Sequence, residues 1–165
     1  MSKERRTKLI TLDEARVVAA GARAAGKIVV VANGAFDMLH VGHVRYLAAA
    51  RAAGDVLFVA VNSDLSVRTS KGPLRPVVPE DERAELLAHL ECVDFVVLFD
   101  EPTVAEVLTA LKPHVHAKGT DYTVETVPER EVVAEWGGKT LICGDPKEHA
   151  TTDLVGEILK RFGHG

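Results

Sequence analysis

Apolar positions along the chain follow two alternating patterns. Residues 27–33, 56–62, 95–98, 115–118 and 140–143 are short runs rich in β-branched side chains, with no regular polar alternation. Runs of that kind read as strands buried on both faces. Helical stretches lie between them. Residues 44–53 are alanine-rich and stop at Gly54. Pro79 opens another stretch with acids in its first turn. Residues 103–111 stop before Pro113, and 128–136 stop at Gly137-Gly138. Thr151 or Thr152 is expected to cap a last helix reaching about Arg161. Ahead of the first strand, Thr11 and Glu14 have capping-box spacing, and Gly26 ends that helix. Residues 63–78 read as one long loop, basic and punctuated by Gly and Pro.

Strands without polar alternation, separated by helices, predict an α/β fold. The expectation is a doubly wound, five-stranded parallel sheet with helices on both faces. Ligands on such sheets bind beyond the carboxyl ends of the strands, at the switch point. The first strand ends at Asn33-Gly34, so chemistry is expected there. A length of 165 residues suits one domain, divided here into a helical extension over 1–26 and a main unit over 27–165. The net charge of −4 argues against a nucleic-acid or anionic-membrane partner, yet permits a local basic patch. No apolar run is long enough to span a bilayer, and the charged start lacks the apolar core of a secretory signal. Cys92 and Cys143 lack metal spacing and are too few for a disulfide framework. A reduced, cytoplasmic protein is expected.

Candidate chemistry is densest in Asn33-Gly-Ala-Phe-Asp-Met-Leu-His40-Val-Gly-His43, which leaves the first strand and enters a helix. His40 and His43 share one face at a helix start. Gly34 and Gly42 remove side chains where backbone must approach a ligand. Free N–H groups in a first helical turn favour a phosphate. The alternatives are a pair of surface histidines beside a tight turn, or a metal pair lacking a third ligand. Lys71, on the basic loop, could close over a triphosphate or merely be solvated. Lys118-Gly-Thr-Asp121-Tyr122 ends the fourth strand. Gly119 there permits close approach of a base or phosphate, and Asp121 could equally cap a turn. Thr151 and Thr152 open the last helix, either as a phosphate cradle or as a plain cap. Tyr122 and Trp136 read as packing residues, the two cysteines as small fillers, and His89, His114, His116 and His164 as lacking a constellation.

His40-x-Gly-His43 behind Asn33-Gly-x-Phe-Asp resembles the HxGH nucleotidyltransferase superfamily. Val61-Asn-Ser-Asp64, Lys71-Gly-x-x-Arg-Pro-Val77, Val93-Asp-Phe-Val, Lys118-Gly-x-Asp-Tyr122 and Thr151-Thr152 look like one branch of it. That branch is the D-glycero-β-D-manno-heptose 1-phosphate adenylyltransferases, often fused behind a sugar kinase. The chain would be the stand-alone form, and 27–165 its nucleotidyltransferase domain. Ala35, Thr120 and the His149-Ala-Thr-Thr-Asp run depart from the branch's usual residues. The resemblance implies direct attack of a sugar 1-phosphate on the α-phosphate of ATP, with Mg²⁺ carried by the triphosphate. It places His40, His43 and Lys71 in catalysis. Gly34, Ala35, Phe36, Gly42, Gly119, Thr151 and Thr152 would bind the nucleotide. Asp37, Lys118, Arg83 and Asp121 would serve the acceptor side. It further implies a homodimer or larger homo-oligomer. The rivals are a cytidylyltransferase acting on glycerol 3-phosphate or a phospho-alcohol, and a non-catalytic ATP sensor.

Overall fold

The structure is a computed structural model and describes residues 8–146 and 150–163. Five strands form one parallel sheet: β1 (Val29–Gly34), β2 (Val56–Asn62), β3 (Phe95–Phe99), β4 (Val115–Lys118) and β5 (Lys139–Ile142). Their spatial order is β3-β2-β1-β4-β5, so the chain reverses direction across the sheet between β1 and β4. The helices are α1 (Leu12–Ala24), α2 (Val41–Ala52), α3 (Asp64–Lys71), α4 (Glu80–Ala88), α5 (Ala105–Leu111), α6 (Arg130–Ala134) and α7 (Thr151–Phe162). The doubly wound expectation holds.

The two faces of β1 feed two separate cores. Val30 and Ala32 pack with Leu57, Val59 and Val61 of β2 under α2 and α4. Val29 and Val31 pack with Phe58 and Ala60 against α1, α5 and α6. All of these side chains are essentially sealed from water, each such valine or leucine contributing on the order of 1.5–3 kcal/mol. This two-sided burial is why β1 and β2 show no polar alternation, whereas β5, expected to be buried on both faces, lies at the sheet edge with Lys139 and Leu141 exposed. By the same period of two, Asn33 faces the α5/α6 side and Gly34 the α2/α4 side.

Three local expectations change. Residues 63–78 are not one loop, because α3 occupies 64–71. Ser63 caps it by accepting from Ser66 N, and Glu80 accepts from Asp64 N at 2.6 Å. Thr151 does not cap the last helix. It is the first helical residue, Ala150 takes the cap position, and Asp153 accepts from Ala150 N. Gly54 does follow α2, but not as a left-handed stop: a Cβ there would lie 2.6 Å from Val30 Cγ2.

The first described residues cover an otherwise open sheet edge. Val96 N donates to Lys8 O and Ile10 N to Val96 O. Lys8 Nζ also donates to Val93 O at 2.6 Å. Ala15 and Ala19 of α1 are fully buried in the same core as Val97 and Leu108. Among the described residues no helix is long and apolar enough to cross a membrane.

Candidate active site

At the carboxyl ends of the strands lies a cavity of about 770 Å³, a size that suits a nucleotide-sized ligand. The β1–α2 connection forms its floor. This connection passes through Phe36 and Met38 in left-handed backbone, at φ 51° and 52°. Such non-glycine residues are costly and persist only where their surroundings hold them. The buried Phe36 ring supplies part of that hold, stacking on Tyr46 at 6.4 Å and meeting the His43 ring edge-on at 5.4 Å.

His40 and His43 cap α2 for each other. His40 occupies the N-cap and its Nδ1 accepts from Gly42 N at 3.1 Å. His43 Nδ1 accepts from His40 N at 3.3 Å. This is the capping-box arrangement with imidazoles in both side-chain roles. A ring accepting at Nδ1 carries its hydrogen on Nε2 when neutral. Both residues line the cavity. Their centroids are 3.9 Å apart, so two protonated rings would repel. Burial, then His40 and Lys71, depress the His43 pKa to about 4.

Asp37 is a junction between loops. Its side chain is 2% exposed. The carboxylate accepts from Arg75 Nε at 2.7 Å and from the N–H groups of Val77 and Val78. Burial alone would raise its pKa, but these donors hold it below the ordinary carboxylate value. Its carbonyl accepts from Thr151 Oγ1 at 2.8 Å. Asp37 thus joins the loop after α3, the β1–α2 connection and the start of α7.

Lys71, Thr151, Thr152, Gly119, Asp121, Ala35 and Gly42 all line the cavity. Lys71 sits at the last position of α3 rather than on a loop. Gly119 leaves open space where a side chain would stand. Arg83, expected on the acceptor side, is instead 1% exposed and held within the protein. Its Nε donates to Val78 O, NH1 to Ala35 O and Asn62 O, and NH2 to Asp64 Oδ1. His149 and His164 lie outside the described residues.

Four residues, His116, Tyr122, Glu129 and Cys143, take positions that the sequence did not predict. His116 is fully buried and pairs through Nε2 with Asn33 Oδ1 at 2.9 Å. Lys118 Nζ lies 3.4 Å from the same Oδ1 and 4.4 Å from the centroid of the Tyr122 ring. Tyr122 is therefore a cation–π partner at the cavity rim. Glu129, just before α6, lines the cavity and is buried. One sequence signal was available for His116: a polar residue inside a short apolar run, between Val115 and Ala117. Cys143 is half-buried: it packs against the core under α2 and α4, as a small filler would, and also lines the cavity, and burial pushes its thiol up to about 11. It stays protonated near neutrality and offers no nucleophile.

The depressed histidines predict acid sensitivity. Burial, then Lys118, lowers the His116 pKa to about 3. Below the ordinary value of 6.5, the unfolded chain takes up protons that the folded imidazoles refuse. Stability is therefore full above pH 6.5 and falls toward pH 4 as the unfolded state gains protons. His116 contributes up to about 1.4 kcal/mol per pH unit, and His43, partly open to the cavity, contributes less. Urea unfolding at pH 7, 6 and 5 checks this. The loss between pH 7 and 5 should shrink in His116→Asn, and an unchanged slope would contradict the assignment.

The two imidazoles at the switch point of a parallel sheet and the hydroxyl-bearing start of the last helix line one cavity. The sequence profile of the cytidylyltransferase-like family matches residues 31–158. The chain belongs to that family, the HxGH nucleotidyltransferases. It is 45% identical over 156 residues to the bifunctional protein HldE of Pelobacter propionicus, covering 94% of this chain and 32% of that protein. It is 48% identical over 151 residues to the bifunctional protein HldE of Caulobacter sp., covering 92% of this chain and 31% of that protein. The chain thus spans about a third of the length of these relatives. The crystal structure of the lipopolysaccharide core biosynthesis protein from Thermoplasma volcanium superposes with a TM-score of 0.64 at 29% identity. That match covers 74% of this chain and all of the other.

Proposed function

We propose that this chain transfers the adenylyl group of MgATP to a heptose 1-phosphate, giving ADP-heptose and pyrophosphate for lipopolysaccharide precursor synthesis. The mutual capping of His40 and His43 carries the reading, since it commits Nδ1 of both rings to backbone N–H groups at the cavity wall. The relatives' name, bifunctional protein HldE, and their three-fold greater length fit a unit holding one of two activities. The sequence resemblance to the heptose adenylyltransferase branch supplies the substrate pair.

In this reading a phosphate oxygen of the sugar attacks the α-phosphorus in line. A new P–O bond forms, the bond to the β-phosphate bridge breaks, and its electron pair leaves with pyrophosphate. A phosphate monoester is already a competent nucleophile, so no side chain need attack. Catalysis is then positioning and charge stabilisation. His43 and His40 donate from Nε2 to the α- and β-phosphate oxygens. Lys71 neutralises the departing pyrophosphate, and Thr152 and the first turn of α7 hold it from the far side. Thr151 and Asp37 position α7 against the imidazoles. Among the described residues no three His, Cys, Asp or Glu side chains form a metal cage. In this reading Mg²⁺ would come with ATP, held mainly by phosphate oxygens and water. The working form we propose is a cytoplasmic homodimer or larger homo-oligomer.

The family's description keeps a cytidylyltransferase as the second reading. Pyrophosphate release from ATP and CTP, each with heptose 1-phosphate, glycerol 3-phosphate or phosphoethanolamine, separates the two. ATP with heptose 1-phosphate is expected to be the preferred pair by at least about ten-fold. Preference for CTP with glycerol 3-phosphate would move the assignment to the second reading. ATP-induced thermal stabilisation without turnover of any acceptor would leave a sensor.

A further inference from the structure

Asn33 of β1, His116 and Lys118 of β4 and Thr140 of β5 lie by strand register on one face of the sheet, the α5/α6 side. Asn33 and Lys118 line the cavity, whereas His116 is sealed from water. His116 Nδ1 and Thr140 Oγ1 are both buried, and neither has a hydrogen-bond partner among the described residues. Polar atoms left in that state are costly, so each calls for a partner.

The contacts around Asn33 decide which nitrogen of His116 carries the hydrogen. Lys118 Nζ lies 3.4 Å from Asn33 Oδ1, and His116 Nε2 lies 2.9 Å from it. An ammonium only donates, so the Asn33 atom it faces must be the oxygen and not the amide nitrogen. That oxygen in turn only accepts, which puts the His116 hydrogen on Nε2. Burial, then the charge of Lys118, keeps the ring neutral, with its pKa down to about 3. Nδ1 is left as a buried acceptor. Thr140 is the register partner of His116 on the adjacent parallel strand. Neighbouring strands run about 4.8 Å apart, so the Thr140 hydroxyl is a buried donor close at hand. The two orphaned atoms are complementary, and one water between them would satisfy both. Asn33, for its part, has Oδ1 engaged twice and its Nδ2 donors unused among the described residues. An amide N–H beside an ammonium suits an oxygen that carries negative charge.

We propose that Thr140 and His116 are positioning residues for Asn33, which presents its Nδ2 amide to an anionic phosphate oxygen in the cavity. The Thr140 hydroxyl, directly or through one buried water, donates to His116 Nδ1 and holds the Nε2–H tautomer. His116 Nε2 and Lys118 then pin Asn33 Oδ1, and the amide donors are left for the ligand. The inference rests on the adenylyl-transfer reading, in which both substrates bring phosphates, and deepens it by adding one donor and the two side chains that aim it.

Imidazole nitrogen NMR of the full chain reads the tautomer. In wild type, His116 Nε2 should carry the proton, and Nδ1 should show the shift of a hydrogen-bonded acceptor. Thr140→Val should move Nδ1 to the shift of an unbonded ring nitrogen, and Thr140→Ser should restore it. Calorimetric titration reads the consequence, with a non-hydrolysable ATP analogue alone and with heptose 1-phosphate in its presence. Asn33→Asp keeps an oxygen for His116 and Lys118 but replaces the amide donors by a second oxygen. It should raise the Kd of the ligand whose phosphate Asn33 meets by at least about ten-fold. Thr140→Val should raise the same Kd by about three-fold, and Thr140→Ser should stay within about two-fold of wild type. Which of the two Kd values moves identifies the phosphate. A merely structural Thr140 would change the melting temperature and leave both Kd values and the Nδ1 shift alone. Three results overturn the proposal: an Nδ1–H tautomer in wild type, unchanged Kd values for both ligands in folded Asn33→Asp, or a Thr140→Ser protein no better than Thr140→Val. A wild type that binds the ATP analogue but turns over no acceptor would sink the transfer reading alone, because the ring shifts and the Kd values still decide the relay. Should Asn33→Asp not fold, the ring shifts and Kd values of the two Thr140 variants decide.

Discussion

Replacing His43 by alanine should lower kcat by at least about a hundred-fold while leaving the protein folded. The loss should appear about equally in kcat and kcat/KM, because the Nε2–H bond strengthens as charge builds on the phosphate oxygens. The change also removes the acceptor that His40 N uses at the start of α2. Loss of one capping partner typically costs about 0.5–2 kcal/mol, too little to unfold a domain of this size. His43→Asn separates the two roles. Its side-chain carbonyl can accept from His40 N, so the melting temperature should recover. The asparagine amide does not reproduce the donor position of Nε2, so most of the rate loss should remain. Steady-state pyrophosphate release and thermal unfolding, measured on the same preparations, check both. A folded His43→Ala protein with normal turnover would remove His43 from the chemistry.

Strands β1, β2 and β4 were legible because burial on both faces leaves its mark in composition. The runs at 56–62 and 115–118 match β2 and β4 end to end. Helix α3 was not legible, since Asp-Leu-Ser-Val-Arg-Thr-Ser-Lys has only two large apolar side chains. Its support is tertiary, from Val67 in the core, Glu80 on Asp64 N and Arg83 on the Asp64 carboxylate. The histidine pair was legible as a spacing, but its reciprocal capping, and hence the tautomers, needed backbone coordinates. Asp37 shows a different limit. A carboxylate beside a phosphate motif reads as a ligand group in sequence, whereas the fold occupies both its oxygens with loop donors. Glu129 and Lys118 line one cavity only because β4 ends where the turn before α6 returns over it, and no periodicity encodes that approach.

Arg83 carries the largest expected effect on stability. Its side chain is wholly buried, and its donors reach three carbonyls and one carboxylate. Those acceptors belong to the β1–α2 connection, the end of β2, the start of α3 and the turn before α4. Arg83→Ala would leave a partly buried Asp64 carboxylate and three carbonyls without this partner. Breaking a buried pair from one side costs on the order of 3–5 kcal/mol, which corresponds to a fall of roughly 10 °C in Tm for a domain of this length. Arg83→Lys should recover little of it, because one ammonium on a flexible stem cannot reproduce the planar fork. The double change Arg83→Met with Asp64→Asn should be less destabilising than the sum of its parts, since it removes the stranded charge together with its partner. Urea unfolding of wild type, Arg83→Met, Asp64→Asn and the double variant measures the coupling. A substrate role predicts the opposite pattern: a stable Arg83→Ala protein whose only defect is a raised KM for ATP or the sugar phosphate. With its guanidinium already shared among four protein acceptors, Arg83 acts on catalysis by holding the loop that presents His40 and His43, so its activity loss should track its loss of folded protein.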